Sequence, residues 1–366
     1  MNSEKSGLSV GIVGLPNVGK TTLFNAIAKQ AKEAKNYPFC TIDPNSSRVE
    51  LHDSRLDKLA ALSKSSRIVY ASVTFTDIAG LVKGASKGEG LGNQFLHHIR
   101  ETSALVHVVR CFDDPDIVHV GGVVHPLDDI ETIDLELILS DLQIIETIGT
   151  RLQKKARSDK KALEEFGVIE KMRAHLEKSL PLRSCLLSEE EKSRTSSYPF
   201  ITQKPVIYVA NVLDSELTLG DNPHVRKVRE KAEKEGNRVI VLSAKIEQEL
   251  SQLEDPEEFL EELGIQKPAL QTLVRAAFDT LDLITFITTG EMETKAWVIA
   301  RGTPAKKAAG SIHSDIEKGF IRAEVIGADK LIALGSRVQA KEQGALRIEG
   351  KDYLVQDGDV AVFLHN

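Results

Sequence analysis

The 366-residue chain has only three cysteines, Cys40, Cys111 and Cys185, and no C-x-x-C spacing. An odd, scattered set excludes a disulfide framework and a cysteine-based zinc site. No uninterrupted apolar run approaches the roughly 18 residues that a membrane helix needs, so no membrane partner is expected. Residues Met1 to Gly7 lack a basic segment followed by an apolar stretch. A secretory signal is therefore not expected, and the protein is expected to be cytoplasmic. Internal repeats and low-complexity segments are also missing. With 41% hydrophobic and 28% charged residues, disordered and fibrous classes are excluded. At roughly 100–200 residues per domain, the length predicts two or three domains.

There is no strong excess of one charge either. The net charge is −7, but residues 134–198 carry 12 basic and 12 acidic side chains, and residues 284–366 carry 11 of each. The deficit lies in the remaining body. The two neutral pieces are the better candidates for meeting a phosphate backbone.

What is present is an alternation of short β-branched runs with helical patterns, which predicts an α/β fold with a mainly parallel sheet. Candidate strands are Leu8–Val13, Arg48–Leu51, Val73–Asp77, Ala104–Arg110, Pro205–Asn211 and Arg238–Leu242. Between the fourth and fifth, apolar residues from Ile130 to Leu152 recur at helical spacing, and a second helical pattern covers Lys161–Ser179. These predict a helical hairpin inserted into the sheet domain. One more helix is expected after Pro268, to about Leu281. Beyond it, residues 284–366 read as short strands punctuated by Gly and Pro without helices between them, a separate small domain. The expected division is a nucleotide-binding domain at 7–133 and 199–282, an insert at 134–198 and a C-terminal domain at 283–366.

Gly14-Leu-Pro-Asn-Val-Gly-Lys20-Thr21 matches G-x-x-x-x-G-K-[ST] between the first strand and a helical run. Glycines there let backbone N–H groups wrap phosphates, with a helix N-terminus behind them. Asn17, Val18, Gly19, Lys20, Thr21 and Thr22 are the candidate phosphate contacts. Lys20 should reach the β- and γ-phosphates, and the Thr21 hydroxyl should ligate Mg²⁺. Asp77-Ile-Ala-Gly80 ends the third candidate strand, where the Asp can hold Mg²⁺ through water and the Gly80 amide can sense the γ-phosphate. Thr41 lies in the preceding loop as a candidate second hydroxyl on the metal. Residues 80–92 carry five glycines with Lys83 and Lys87, a composition suited to an order–disorder switch or to a plain flexible loop. Cys40 reads as a packing thiol, with a redox role as the alternative.

With these residues in hand, the sequence resembles the Obg-like ATPase family, the YchF proteins, on the Obg branch of P-loop GTPases. The matching stretches are Gly14–Asn25, Asn36–Asn45, Asp77–Phe95, Val109-Arg-Cys-Phe112 and Lys318-Gly-Phe-Ile-Arg-Ala323. The resemblance spans the chain. It implies a helical insert, a C-terminal β-grasp domain of the TGS type, ATP hydrolysis despite GTPase ancestry, Mg²⁺ dependence and association with ribosomes.

GTPases read guanine with N-K-x-D, whose Asp accepts hydrogen bonds from the base. Here the fifth strand ends in Asn211-Val-Leu-Asp214, so Val212 replaces the Lys that packs over the base. That favours ATP. Asp214 and Ser243-Ala-Lys245, which is similar to the S-A-K loop of GTPases, lean towards GTP. Asn211, Val212, Leu213 and Ser243 are the candidate base-side contacts, and Asn211 is expected to tie the base loop to the phosphate loop.

Leu81 follows Gly80 where many GTPases place a water-orienting Gln. Catalysis must then recruit another group. One candidate is Asn17, which in related GTPases with this substitution helps hold K⁺ against the phosphates. The other is His119, in the loop Asp113–Pro126, as a positioner of water or γ-phosphate beside Lys20 and Gly80. A slow enzyme is expected.

Residues 151–161 contain six basic side chains, Arg151, Lys154, Lys155, Arg157, Lys160 and Lys161, against Asp159. They form a basic knob suited to ribosomal RNA or, more blandly, a solvated helix end. The reading is a ribosome-binding, Mg²⁺-dependent ATPase switch, expected as a monomer. The rivals are a GTPase of ribosome assembly, a nucleotide kinase, and a non-catalytic nucleotide-gated binding protein. A kinase would leave Thr41 and Asp77-x-x-Gly80 unexplained.

Overall fold

The computed structural model describes residues 8–33, 45–78, 91–253 and 255–366. The chain opens with β1 (Ser9–Val13), α1 (Lys20–Glu33), β2 (Ser46–Leu51), α2 (Ser54–Ser63), β3 (Ile68–Val69) and β4 (Ala71–Asp77). Then come α3 (Leu91–Glu101), β5 (Ala104–Arg110), α4 (Pro126–Lys155), α5 (Lys160–Leu176), α6 (Glu189–Thr195) and β6 (Val206–Asn211). The middle of the chain closes with α7 (Pro223–Glu235), β7 (Arg238–Leu242), α8 (Ala244–Leu250), α9 (Glu257–Glu262) and α10 (Ala269–Thr280). It ends with β8 (Leu283–Thr289), β9 (Thr294–Ala300), α11 (Ala305–Ile312), α12 (Ser314–Lys318), β10 (Phe320–Gly327), α13 (Ala328–Leu334), α14 (Arg337–Glu342), β11 (Arg347–Glu349) and β12 (Asp359–His365).

Two compact units result, residues 1–49 with 74–273 and residues 50–73 with 274–366. The first is built on a sheet of order β2-β4-β1-β5-β6-β7. Strands β4, β1, β5, β6 and β7 run parallel. Every residue of β5 and β6 is buried, as expected of central strands covered on both faces. Between β5 and β6 the chain leaves the sheet as the α4–α5 hairpin. Ile138, Ile145, Ile148 and Leu152 of α4 meet Val168, Ile169, Met172 and Leu176 of α5 in a core of their own. Asp159 caps α5 by accepting the Lys161 amide at 2.9 Å. The fully buried Asp141 accepts the Ile201 and Thr202 amides at 2.9 and 2.8 Å and the Thr202 hydroxyl at 2.7 Å, fastening α4 to the chain returning into β6.

The second unit is a sheet of order β11-β10-β12-β8-β9-β3. β8 and β9 form an antiparallel hairpin, and β12, the last strand, lies parallel to β8. A first hairpin and a last strand joined in parallel, with helices between, is a β-grasp arrangement. Here the structure corrects the expectation of strands without helices. Helices α11 to α14 are five to eight residues long, too short to display the 3.6-residue period. α11 buries Ala305, Ala308 and Ala309 in the unit's core. The early segment Glu50–Val73 groups with this unit rather than with its sequence neighbours. Ser65 donates to the Gly290 carbonyl at 2.6 Å, Ser66 N–H to Glu291 at 2.8 Å, and Thr294 N–H to Arg67 at 2.9 Å.

Candidate functional site

The parallel register brings the carboxyl ends of five strands to one edge. Ile12 is level with Asp77, Arg110 with Asn211, and Asn211 with Leu242. Loops leaving such ends form the crevice where open α/β sheets bind ligands.

The loop after β1 turns sharply into α1. A side chain at residue 14 would place its Cβ 2.6 Å from the Val108 carbonyl oxygen. Asn17 and Gly19 are left-handed, at φ 62° and +94°. A Cβ at residue 19 would meet Asn211 Nδ2 at 2.3 Å, so only glycine fits there. The Leu23 amide donates to the Gly19 carbonyl at 2.9 Å, which makes Lys20, Thr21 and Thr22 the first turn of α1. Helix amides at that turn have no acceptor within the helix and favour an anion. Lys20 Nζ sits 2.8 Å from Asp77 Oδ1, both side chains mostly buried. Thr21 is exposed and Val18 buried. Thr41, Gly80, Leu81, Cys40 and most of the glycine-rich stretch lie outside the described residues.

Asn211, at the end of β6, is buried and bridges two loops. Its Nδ2 donates to the Val18 carbonyl at 2.9 Å, and its Oδ1 accepts the Ala244 amide at 2.8 Å. Val212 is buried, its amide donating to the Leu242 carbonyl at 2.9 Å; Leu213 is half-buried. Ser243 caps α8 and donates to Asp214 Oδ1 at 3.0 Å, while Lys245 Nζ lies 2.7 Å from Asp214 Oδ2. Partial burial raises the Asp214 pKa, but hydrogen bonds from Lys245 and Ser243 outweigh it and hold the carboxyl below the usual carboxylate range.

The loop from β5 to α4 is organised by a residue that sequence reasoning left unassigned. Arg110, fully buried, donates to the carbonyls of Phe112, Asp114 and Ile117 at 3.1, 3.0 and 2.9 Å, and its guanidinium lies 4.6 Å from the Phe112 ring. The available signal was a cation closing a strand that, His107 apart, is apolar. Asn17 Nδ2 donates to the Val118 carbonyl at 3.1 Å, joining this loop to the phosphate loop. His119 turns to α4: its Nε2 is 3.0 Å from Asp129 Oδ2, and its Nδ1 accepts the Gly121 amide at 3.0 Å. Burial pushes the neighbouring Cys111 thiol well up, so it stays protonated and inert. The six basic residues of 151–161 are exposed at the hairpin tip, where Arg151 also donates to the Tyr198 hydroxyl at 3.2 Å.

A strand–glycine loop–helix unit with its lysine paired to an acid at the next parallel strand's end defines a P-loop nucleotide-binding domain of the GTPase type. Residues 9–148 match the family model MMR_HSR1, described as a 50S ribosome-binding GTPase. Residues 283–366 match the model YchF-GTPase_C, described as a protein of unknown function (DUF933). The chain is 51% identical to the ribosome-binding ATPase YchF of Bacillus subtilis and 52% identical to that of Haemophilus influenzae, each match covering 98% of this chain and 99% of the relative. The solved structure of the Schizosaccharomyces pombe YchF GTPase superposes with a TM-score of 0.89 at 36% identity, covering 98% of both chains. The chain belongs to the YchF family.

Proposed function

We propose that this chain is a slow, Mg²⁺-dependent ATPase of the cytoplasm that binds the ribosome in a nucleotide-dependent way. The observation that carries the nucleotide reading is the Lys20–Asp77 pair at the mouth of a loop already braced by Asn211. Arriving β- and γ-phosphates draw the Lys20 ammonium away from Asp77, so the positive charge passes to the phosphates and the carboxylate is freed. Thr21, Thr41 and Asp77 would hold Mg²⁺; their hard oxygen donors suit it. When bound, the metal would supply positive charge to offset the negative charge of the phosphates. Asn17 would hold K⁺, and His119 would position water or the γ-phosphate, with Lys20 and the Gly80 amide on the phosphate oxygens.

ATP is favoured because Val212 stands where a guanine reader packs a lysine, and because curated relatives carry the ATPase name. GTP remains the second reading, because Ser243 and Lys245 keep Asp214 ionised beside the base loop. The insert at 134–198, with its basic tip, would meet ribosomal RNA, and the domain at 283–366 would add a second docking surface to a monomer. Calorimetric titration of nucleotide-free protein with nonhydrolysable ATP and GTP analogues, each with Mg²⁺, tests the nucleotide. Tighter ATP binding supports the proposal; tighter GTP binding overturns the ATPase reading.

A further inference from the structure

The loop that carries His119 is inside out. Val118, Val120 and Val123 are 75%, 63% and 75% exposed, whereas the polar imidazole between them is only 6% exposed. Burying a polar ring while leaving three apolar side chains in water is opposite to what solvation favours, so specific bonds must hold the loop this way. Those bonds are in place. The Gly121 amide donates to Nδ1, which leaves the ring proton on Nε2, and Nε2–H then donates to Asp129, itself 7% exposed. Both nitrogens are occupied, so the ring has no atom to offer a water or a phosphate in this state. Yet Val118, the preceding residue, touches the phosphate loop through Asn17. The ring lies one residue from the site and faces away from it.

We propose that Asp129 is a positioning residue that stows His119. Release of the Asp129–His119 pair, with burial of Val118, Val120 and Val123, turns the imidazole towards the phosphate loop. This rests on the reading of His119 as the water- or phosphate-positioning group. Hydrolysis by the free protein is then limited by how seldom the pair opens.

Carbethoxylation by diethylpyrocarbonate, mapped by mass spectrometry on the full nucleotide-free chain, tests the stowing directly. His119 should react at least about tenfold more slowly than His97, which is 67% exposed. Asp129→Ala should bring the two rates together. Asp129→Asn, whose carboxamide oxygen still accepts from Nε2–H, should keep His119 protected. The fully buried ring of His107 reports the fold; if it too reacts in Asp129→Ala, the comparison is made with Asp129→Ser. Equal reactivity of His119 and His97 in the parent protein, or undiminished protection in folded Asp129→Ala or Asp129→Ser, would overturn the proposal. Turnover is judged separately: Asp129→Ala should hydrolyse ATP faster than the parent, and Asp129→Ala with His119→Ala should lose that gain. Lost protection without any gain dependent on His119 would leave the stowing intact and sink the catalytic reading beneath it.

Discussion

Replacing Asn211 with Ala separates cradle from base in a way that binding data can read. Its amide donates to Val18 and its oxygen accepts from Ala244, at 2.9 and 2.8 Å, both in buried surroundings. Each bond contributes about 0.5–1.5 kcal/mol net, so losing both favours an open phosphate loop by about 1–3 kcal/mol. Nucleotide binding must then supply that energy to re-form the cradle, which weakens affinity by roughly 5- to 150-fold. The equality of the two losses is the diagnostic part. Both bonds brace the loops against each other rather than touch the base, so ATP and GTP analogues should weaken by the same factor. Isothermal titration of parent and Asn211→Ala with both analogues measures the two ratios. A loss confined to one base would refute the reasoning and put Asn211 on the base itself. No loss for either would mean that the loop keeps its shape without the brace.

Three further outcomes are expected. Burial pushes the His107 pKa down to about 4, with Asp134 opposing and Arg183 and Lys231 reinforcing. The unfolded chain, with its histidine near 6.5, therefore takes up the proton first as pH falls, and roughly 3 kcal/mol of stability should drain away between about pH 6.5 and pH 4. Denaturation midpoints at pH 7 and pH 4.5 should lie closer together in His107→Gln than in the parent; an equal gap would contradict this. Asp141→Ala leaves the buried Ile201 and Thr202 amides without their acceptor and should destabilise the hairpin's attachment by about 2–4 kcal/mol. Faster hydrogen exchange at those two amides checks it. Lys245→Ala removes the cation 2.7 Å from Asp214 and should lower the preference for the GTP analogue over the ATP analogue a few-fold, read by competition binding. An unchanged preference would show that Asp214 does not meet the base.

Most of the sheet was legible because parallel strands buried on both faces are continuous apolar runs, as in Ala104–Arg110 and Val206–Asn211. The phosphate loop was legible because its spacing sits between a strand and a helix. What stayed hidden depends on contacts made far along the chain. Asp129 reads as an ordinary acid in a helix's first turn, a common place for one, and nothing local ties it to His119. Helix α2, with the strand β3 after it, follows a strand of the nucleotide-binding sheet yet belongs with strands more than 200 residues later.

That last feature sets an order of events during synthesis. Leu56 and Leu59 of α2 are fully covered in the finished protein, within a unit whose remainder begins at Val274. About 200 residues separate the two parts of that unit. At roughly 5–20 residues per second, this early helix waits some 10–40 s before the rest of its unit even begins to emerge. The nucleotide-binding unit can fold in that interval, because its own last residues precede Val274. The nucleotide-binding unit can therefore mature first, and α2, although made early, is among the last helices to find shelter.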